Sequence, residues 1–158
     1  MVYYCEVADE HKLILHRGSK EGPIIATGVP CLEKEGYTDI HFTEPKLTIS
    51  FQHEHHTLPF LHTKNRFEYN GKKYYWKDHH ELVEDGSDLL LATFKPSWLE
   101  GHGHRIGQLV IKGDGQEMRD IAVITALIVQ ERADEHTVSV SKSACLINCR
   151  LNWPDNRR

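Results

Sequence analysis

The chain has 158 residues, 39% of them hydrophobic and 27% charged, which fits one domain able to bury a sizeable core and excludes intrinsic disorder. Its net charge of −4 with neutral histidines excludes a whole-molecule attraction to nucleic acid or anionic membranes, so any such partner would have to meet a local patch. The four cysteines, Cys5, Cys31, Cys145 and Cys149, are too few and too scattered for a disulfide framework and are expected as reduced thiols.

The opening Met1-Val2-Tyr3-Tyr4-Cys5-Glu6 lacks the basic start and apolar stretch of a secretory signal, and no segment reaches the ~18 apolar residues of a membrane-spanning helix. A cytoplasmic protein is expected. Period-2 alternation then recurs in short segments, the pattern of half-buried strands. Candidates are Lys12–His16, Ile24–Thr27, Asp39–Phe42, and the run in which Leu47, Ile49 and Phe51 alternate with Lys46, Thr48 and Ser50.

Asn70-Gly71 is the strongest local signal, because this pair supplies the two positive φ angles of a type I′ hairpin turn. The implied register sets Tyr69 against Lys72, Phe67 against Tyr74 and Asn65 against Trp76, with four aromatics on one side. Glu68 opposite Lys73 and Arg66 beside Tyr75 fall on the other. Leu82–Glu84, Leu89–Phe94 and Ile106–Ile111 are further strands, broken at Asp85-Gly86 and Gly113-Asp114-Gly115. The gaps are too short for crossovers, so antiparallel pairing is expected.

Ile121-Ala-Val-Ile-Thr-Ala-Leu-Ile-Val129 carries no charge over nine residues. Read as a helix near residues 117–132 it is apolar all round and must be enclosed, which a sheet closing around it would achieve. A central strand is the alternative, and a capping-box pattern at Asp114 and Glu117 favours the helix. Beyond it Thr137–Ser141 alternates like an edge strand, and Trp153–Arg158 reads as a fraying end. Cys145 and Cys149, four apart, would share a helical face but do not have the C-x-x-C spacing of a zinc or redox site. The expected organisation is therefore a mostly β domain over 1–135, an antiparallel β-barrel enclosing one hydrophobic helix, followed by an extension over 136–158 that packs on the barrel or leaves it.

The segments Phe67-Glu68-Tyr69-Asn70-Gly71-Lys72-Lys73-Tyr74-Tyr75-Trp76-Lys77, Leu89-Leu90-Leu91-Ala92-Thr93-Phe94, Gly107-Gln108-Leu109-Val110-Ile111 and Ile121 to Arg132 resemble, in that order, the C-terminal half of the tubby-like superfamily. That superfamily contains tubby proteins, phospholipid scramblases, plant LURP-one-related proteins and small fungal members of unknown function. The resemblance implies a twelve-stranded barrel threaded by a terminal hydrophobic helix. It also implies dealings with membrane lipids, through phosphoinositide binding in tubby proteins and phospholipid movement in scramblases. Tubby's phosphoinositide-binding residues have no one-to-one counterparts in this chain, and none is carried over.

Two clusters can carry chemistry. Lys64, Arg66, Lys72, Lys73 and Lys77 against Glu68 make the hairpin basic by about +4, a surface able to hold a phosphorylated headgroup or another anion, or simply to solvate the strands and block edge pairing. Twelve histidines are the compositional oddity. On a strand His53 and His55 point the same way, inward with Phe51, and two imidazoles so placed can chelate a transition metal with a third from His62, His80 or His104.

His53-Glu54-His55-His56 lacks the spacing of a zinc-protease helix, and Gly101-His102-Gly103-His104-Arg105-Ile106-Gly107 lacks that of a dinucleotide loop. No Gly-x-Ser-x-Gly elbow, P-loop or identifiable nucleophile is present. The leading expectation is a non-enzymatic binding domain, without a cofactor, that engages a phospholipid or phosphoinositide headgroup or a protein partner, at the periphery of a membrane where the partner is a lipid. The alternatives are a metal-dependent enzyme or metal-binding protein using the histidine-rich rim, and a structural or assembly domain.

Overall fold

A computed structural model describes residues 1–8, 11–31, 36–54, 64–98, 105–135 and 145–151. It is mostly β. The strands are β1 (Val2–Val7), β2 (Leu13–Arg17), β3 (Ile24–Gly28), β4 (Gly36–Phe42), β5 (Leu47–Glu54), β6 (Lys64–Tyr69), β7 (Lys72–Lys77), β8 (Glu81–Glu84), β9 (Leu89–Trp98), β10 (Arg105–Ile111) and β11 (Cys145–Leu151). One helix, α1 (Arg119–Glu135), follows β10 after a 3-10 turn over Gly113–Met118.

Each strand from β1 to β10 pairs antiparallel with the next, giving a ten-stranded meander. β11 lies between the two ends of that sheet. It pairs antiparallel with β1 and parallel with β10, and the hydrogen-bonded circuit is thereby completed. Closure removes the two open edges that would otherwise invite pairing with other chains. Residues 145–151 are thus a strand of the sheet, and Cys145 and Cys149 stand on β11 and not on a helix. The described residues hold eleven strands against the twelve that the tubby-like resemblance implies, and the helix is followed by a further strand where the resemblance makes it terminal. Thr137–Ser141 and Trp153–Arg158 lie outside the described residues.

The hairpin of β6 and β7 shows why local chemistry sets register. Asn70 and Gly71 take φ values of 51° and 73°, the mirror-image turn that matches strand twist, and all five expected pairs from Asn65↔Trp76 to Tyr69↔Lys72 are observed. Phe67, Tyr74 and Trp76 are buried, and Phe67 stacks on Tyr74 with ring centroids 5.4 Å apart. The next turn reaches the same geometry without glycine. Asp78 and His79 adopt φ of 50° and 63°, and the His80 N–H closes the turn onto the Lys77 carbonyl at 3.1 Å.

Every residue from Ile121 to Val129 is buried, so this stretch of the helix has no wet face. Such a stretch is stable only when the sheet covers every side of it, and inward residues from strands throughout the circuit, among them Leu15, Ile40, Phe51, Trp76 and Leu109, belong to the same core. The helix starts later than the Asp114–Glu117 pattern suggests. Those residues form the 3-10 turn, whose N-terminus has no side-chain cap, and the turn packs tightly because Gly115 has no Cβ: one added there would come within 2.8 Å of the Leu91 carbonyl oxygen.

Polar contacts tie the helix to the sheet at three heights. At its start Asp120 accepts from the buried Tyr3 hydroxyl and from Arg17 Nη2 at 2.9 Å, while Arg119 Nε donates to the Tyr3 oxygen at 3.0 Å. In the middle, the buried Trp76 indole N–H donates to Thr125 Oγ1 at 3.0 Å, and Thr125 donates in turn to the Ile121 carbonyl at 2.7 Å. Further on, Gln130 Nε2 donates to the His79 carbonyl at 3.0 Å. Thr125→Val keeps the shape and removes the indole's acceptor, so it is expected to lower unfolding free energy by about 1–3 kcal/mol in a urea titration. A loss below a few tenths would mean that the indole has another acceptor.

Candidate functional site: a groove on the outer face of β4 to β7

On β4 to β7 the residues that alternate with the core look outward and form two cross-strand rows. One row runs Tyr37, Gln52, Arg66, Tyr75 through directly paired positions. The other contains Ser50 and the opposed pair Glu68 and Lys73, and it ends at Asp85, whose backbone N–H bonds the Lys73 carbonyl at 2.8 Å. These side chains line a groove of about 430 Å³, within the ~300–1,000 Å³ range of small-molecule sites. A second hollow of about 480 Å³ at the β4–β5 turn offers only Lys46 and His41 as basic groups.

The floor of the groove is firm because the residues between the outward ones are core: Thr38, Phe51, Phe67, Tyr74 and Trp76 are all buried. Arg66 is half-buried between Gln52 and Tyr75, whereas Tyr37 is 63% exposed at the rim. Tyr75 donates a long hydrogen bond to Asp88 Oδ1 at 3.4 Å. Burial first, and then the nearby Asp88 carboxylate, hold its phenol above the ordinary value of 10.0. Burial, reinforced by Glu84, does the same for Tyr74. Both therefore remain neutral hydroxyls at any physiological pH.

Of the five cations expected on the hairpin, Arg66, Lys72, Lys73 and Lys77 have described side chains, and these stand at different places on it. Arg66 and Lys73 line the groove. Lys72, one residue along, falls on the opposite side by strand alternation and is bound at the rim to Glu84, with Nζ 3.2 Å from Oε1 and 3.3 Å from Oε2. That hydrogen bond and charge raise its pKa above 10.5. Lys77 is exposed at the far end of β7, in register with Glu81, and Lys64 pairs in register with Glu54 at the start of β6. The groove itself carries Arg66 and Lys73 against Glu68 and Asp85, so its formal charge is zero and the local excess of +4 belongs to the hairpin as a segment.

The histidines divide as well. His53 points inward as expected and is 1% exposed, but both of its ring nitrogens are engaged: Nε2 lies 2.9 Å from Thr38 Oγ1 and Nδ1 lies 3.0 Å from Asn65 Oδ1. An amide oxygen can only accept, so Nδ1 carries a proton, and in the neutral ring Nε2 then accepts from the threonine hydroxyl. The lone pair that a metal would need is directed at Thr38. His80 is exposed at the β7–β8 turn, and His55, His62 and His104 lie outside the described residues. Among the described residues no three His, Cys, Asp or Glu side chains are grouped to hold a metal ion. None of the helices there is long and apolar enough to cross a membrane.

Sequence reading placed Arg66 and Lys73 on the wet side of the hairpin but missed Tyr37, Gln52 and Asp85, which reach the groove from strands or turns outside it. Residues 15–135 match the model of one family, described as a family of unknown function and designated DUF6593. The match starts within β2 and ends with α1, so β1 and β11 lie outside it. No curated protein and no solved structure matches the chain.

Proposed function

The chain belongs to the DUF6593 family, whose function is unknown, and from the geometry of this member we propose a non-enzymatic binding domain that takes the phosphate-bearing headgroup of a membrane lipid in the outer groove. The observation that carries this reading is the half-buried Arg66, set between Gln52 and Tyr75 on a rigid sheet, with Lys73 in the neighbouring row. A guanidinium presents paired donors that match phosphate oxygens, and tyrosines such as Tyr37 and Tyr75 suit a boundary between apolar and wet surroundings. The tubby-like kinship belongs to the same proposal, supported by the buried stretch 121–129 of α1 within a ring of strands. The protein then acts from the cytoplasm at a membrane surface, without crossing it.

Sedimentation of the full chain with mixed phospholipid vesicles tests the reading. Arg66→Glu is expected to reduce the bound fraction by about tenfold or more in a protein that stays folded, since a charge-assisted hydrogen bond contributes ~1.5–3 kcal/mol. Equal sedimentation of wild type and variant would remove the groove from consideration.

A further inference from the structure

The charges of the groove discriminate between kinds of headgroup. Lys73 stands between two carboxylates, Glu68 across the β6–β7 ladder and Asp85 beyond the other edge of β7. Among the described residues, none of these three side chains makes a hydrogen bond or ion pair, so their pairing is loose and open to a ligand. Arg66 lies in the other row, two residues along β6 from Glu68, a separation of roughly 7 Å along the strand. The groove thus offers a cation with aromatic flanks at one place and carboxylates one pleat away.

We propose that the groove selects a zwitterionic headgroup, one phosphate joined to one ammonium by a short tether, over a polyanionic one; this rests on the groove being the ligand site. The phosphate meets Arg66, and the ammonium turns toward Glu68 and Asp85. Tyr37 and Tyr75 stand in the Arg66 row, where their rings can also receive a methylated ammonium through its attraction to an aromatic face. A headgroup with several phosphates gains Arg66 and Lys73 but brings its remaining charge against the two carboxylates, and this repulsion excludes it. Phosphocholine and phosphoethanolamine have the required chemistry, whether lipid-borne or free.

Titration calorimetry of the full chain with phosphocholine, choline, inorganic phosphate and inositol trisphosphate tests this selection. Phosphocholine is expected to bind at least about tenfold more tightly than any of the other three, because only it engages both charges. The double variant Glu68→Gln, Asp85→Asn alters exposed side chains, leaves the core intact, and is expected to reverse the order in favour of inositol trisphosphate. Tighter binding of inositol trisphosphate to the wild type, with the double variant unchanged, would overturn the zwitterion proposal and leave the headgroup reading standing. No binding of any headgroup, together with Arg66-independent sedimentation, would overturn both. Phosphatidylcholine vesicles compared with free phosphocholine then show whether the source is a membrane or a soluble metabolite.

Discussion

Ile124→Asp is expected to abolish the folded state. Ile124 is fully buried in the middle of a helix with nine consecutive buried residues, so no rotation or tilt of α1 can bring a carboxylate there to water. Burying an unpaired ionised or protonated carboxyl costs several kcal/mol, in addition to the lost isoleucine packing, against a total stability of about 5–15 kcal/mol for a domain. Loss of the near-ultraviolet circular dichroism of buried aromatics such as Trp76 would report the collapse. Ile124→Val, which removes one methylene, is expected to lower stability by only about 0.5–1.5 kcal/mol. A folded aspartate variant with a wild-type thermal midpoint would show that water reaches this face of the helix and that the sheet does not enclose it.

His53→Ala is expected to be the next most damaging change, at about 3 kcal/mol or more. The imidazole is the middle of a buried relay: the Cys31 backbone N–H donates to Thr38 Oγ1 at 2.9 Å, Thr38 to His53 Nε2, and His53 Nδ1–H to Asn65 Oδ1, so one side chain connects β4, β5 and β6. Truncation leaves Thr38 and Asn65, 1% and 2% exposed, without their partner and opens a cavity beside Phe51, whose ring meets the imidazole edge-on at 5.0 Å. Each unsatisfied buried group costs ~1–3 kcal/mol and the cavity adds to it. Chemical denaturation of the two proteins measures the difference. A change below 1 kcal/mol would show that His53 is dispensable for packing and return it to consideration as a ligand.

The parts of this fold that could be read in advance depend on neighbours in the chain. Asn70-Gly71 specifies its turn from two residues, and the register of β6 and β7 follows because a slip by one would bring Phe67, Tyr74 and Trp76 into water. The apolar stretch from Ile121 to Val129 likewise demands enclosure whatever surrounds it. The Asp114–Glu117 pattern points to the helix but not to its start, because those residues form the 3-10 turn that precedes it, where Gly115 comes close to Leu91, 24 positions earlier in the chain.

The outer groove could be read only in half. Arg66, Glu68, Lys73 and Tyr75 belong to one hairpin, whereas Tyr37 joins them by way of β5, through pairings that no local pattern encodes. β1 and β11 are the extreme case, since β11 has meaning only between the first strand and the tenth, and its sequence Cys-Leu-Ile-Asn-Cys-Arg-Leu does not alternate cleanly. From sequence alone came the mostly β class, the central hairpin and the buried helix, each set by turn chemistry or by solvation of a contiguous segment. Tertiary structure alone decided the closing strand, the pairing of Lys72 with Glu84 and the neutral charge of the groove, because these depend on which distant strands lie side by side.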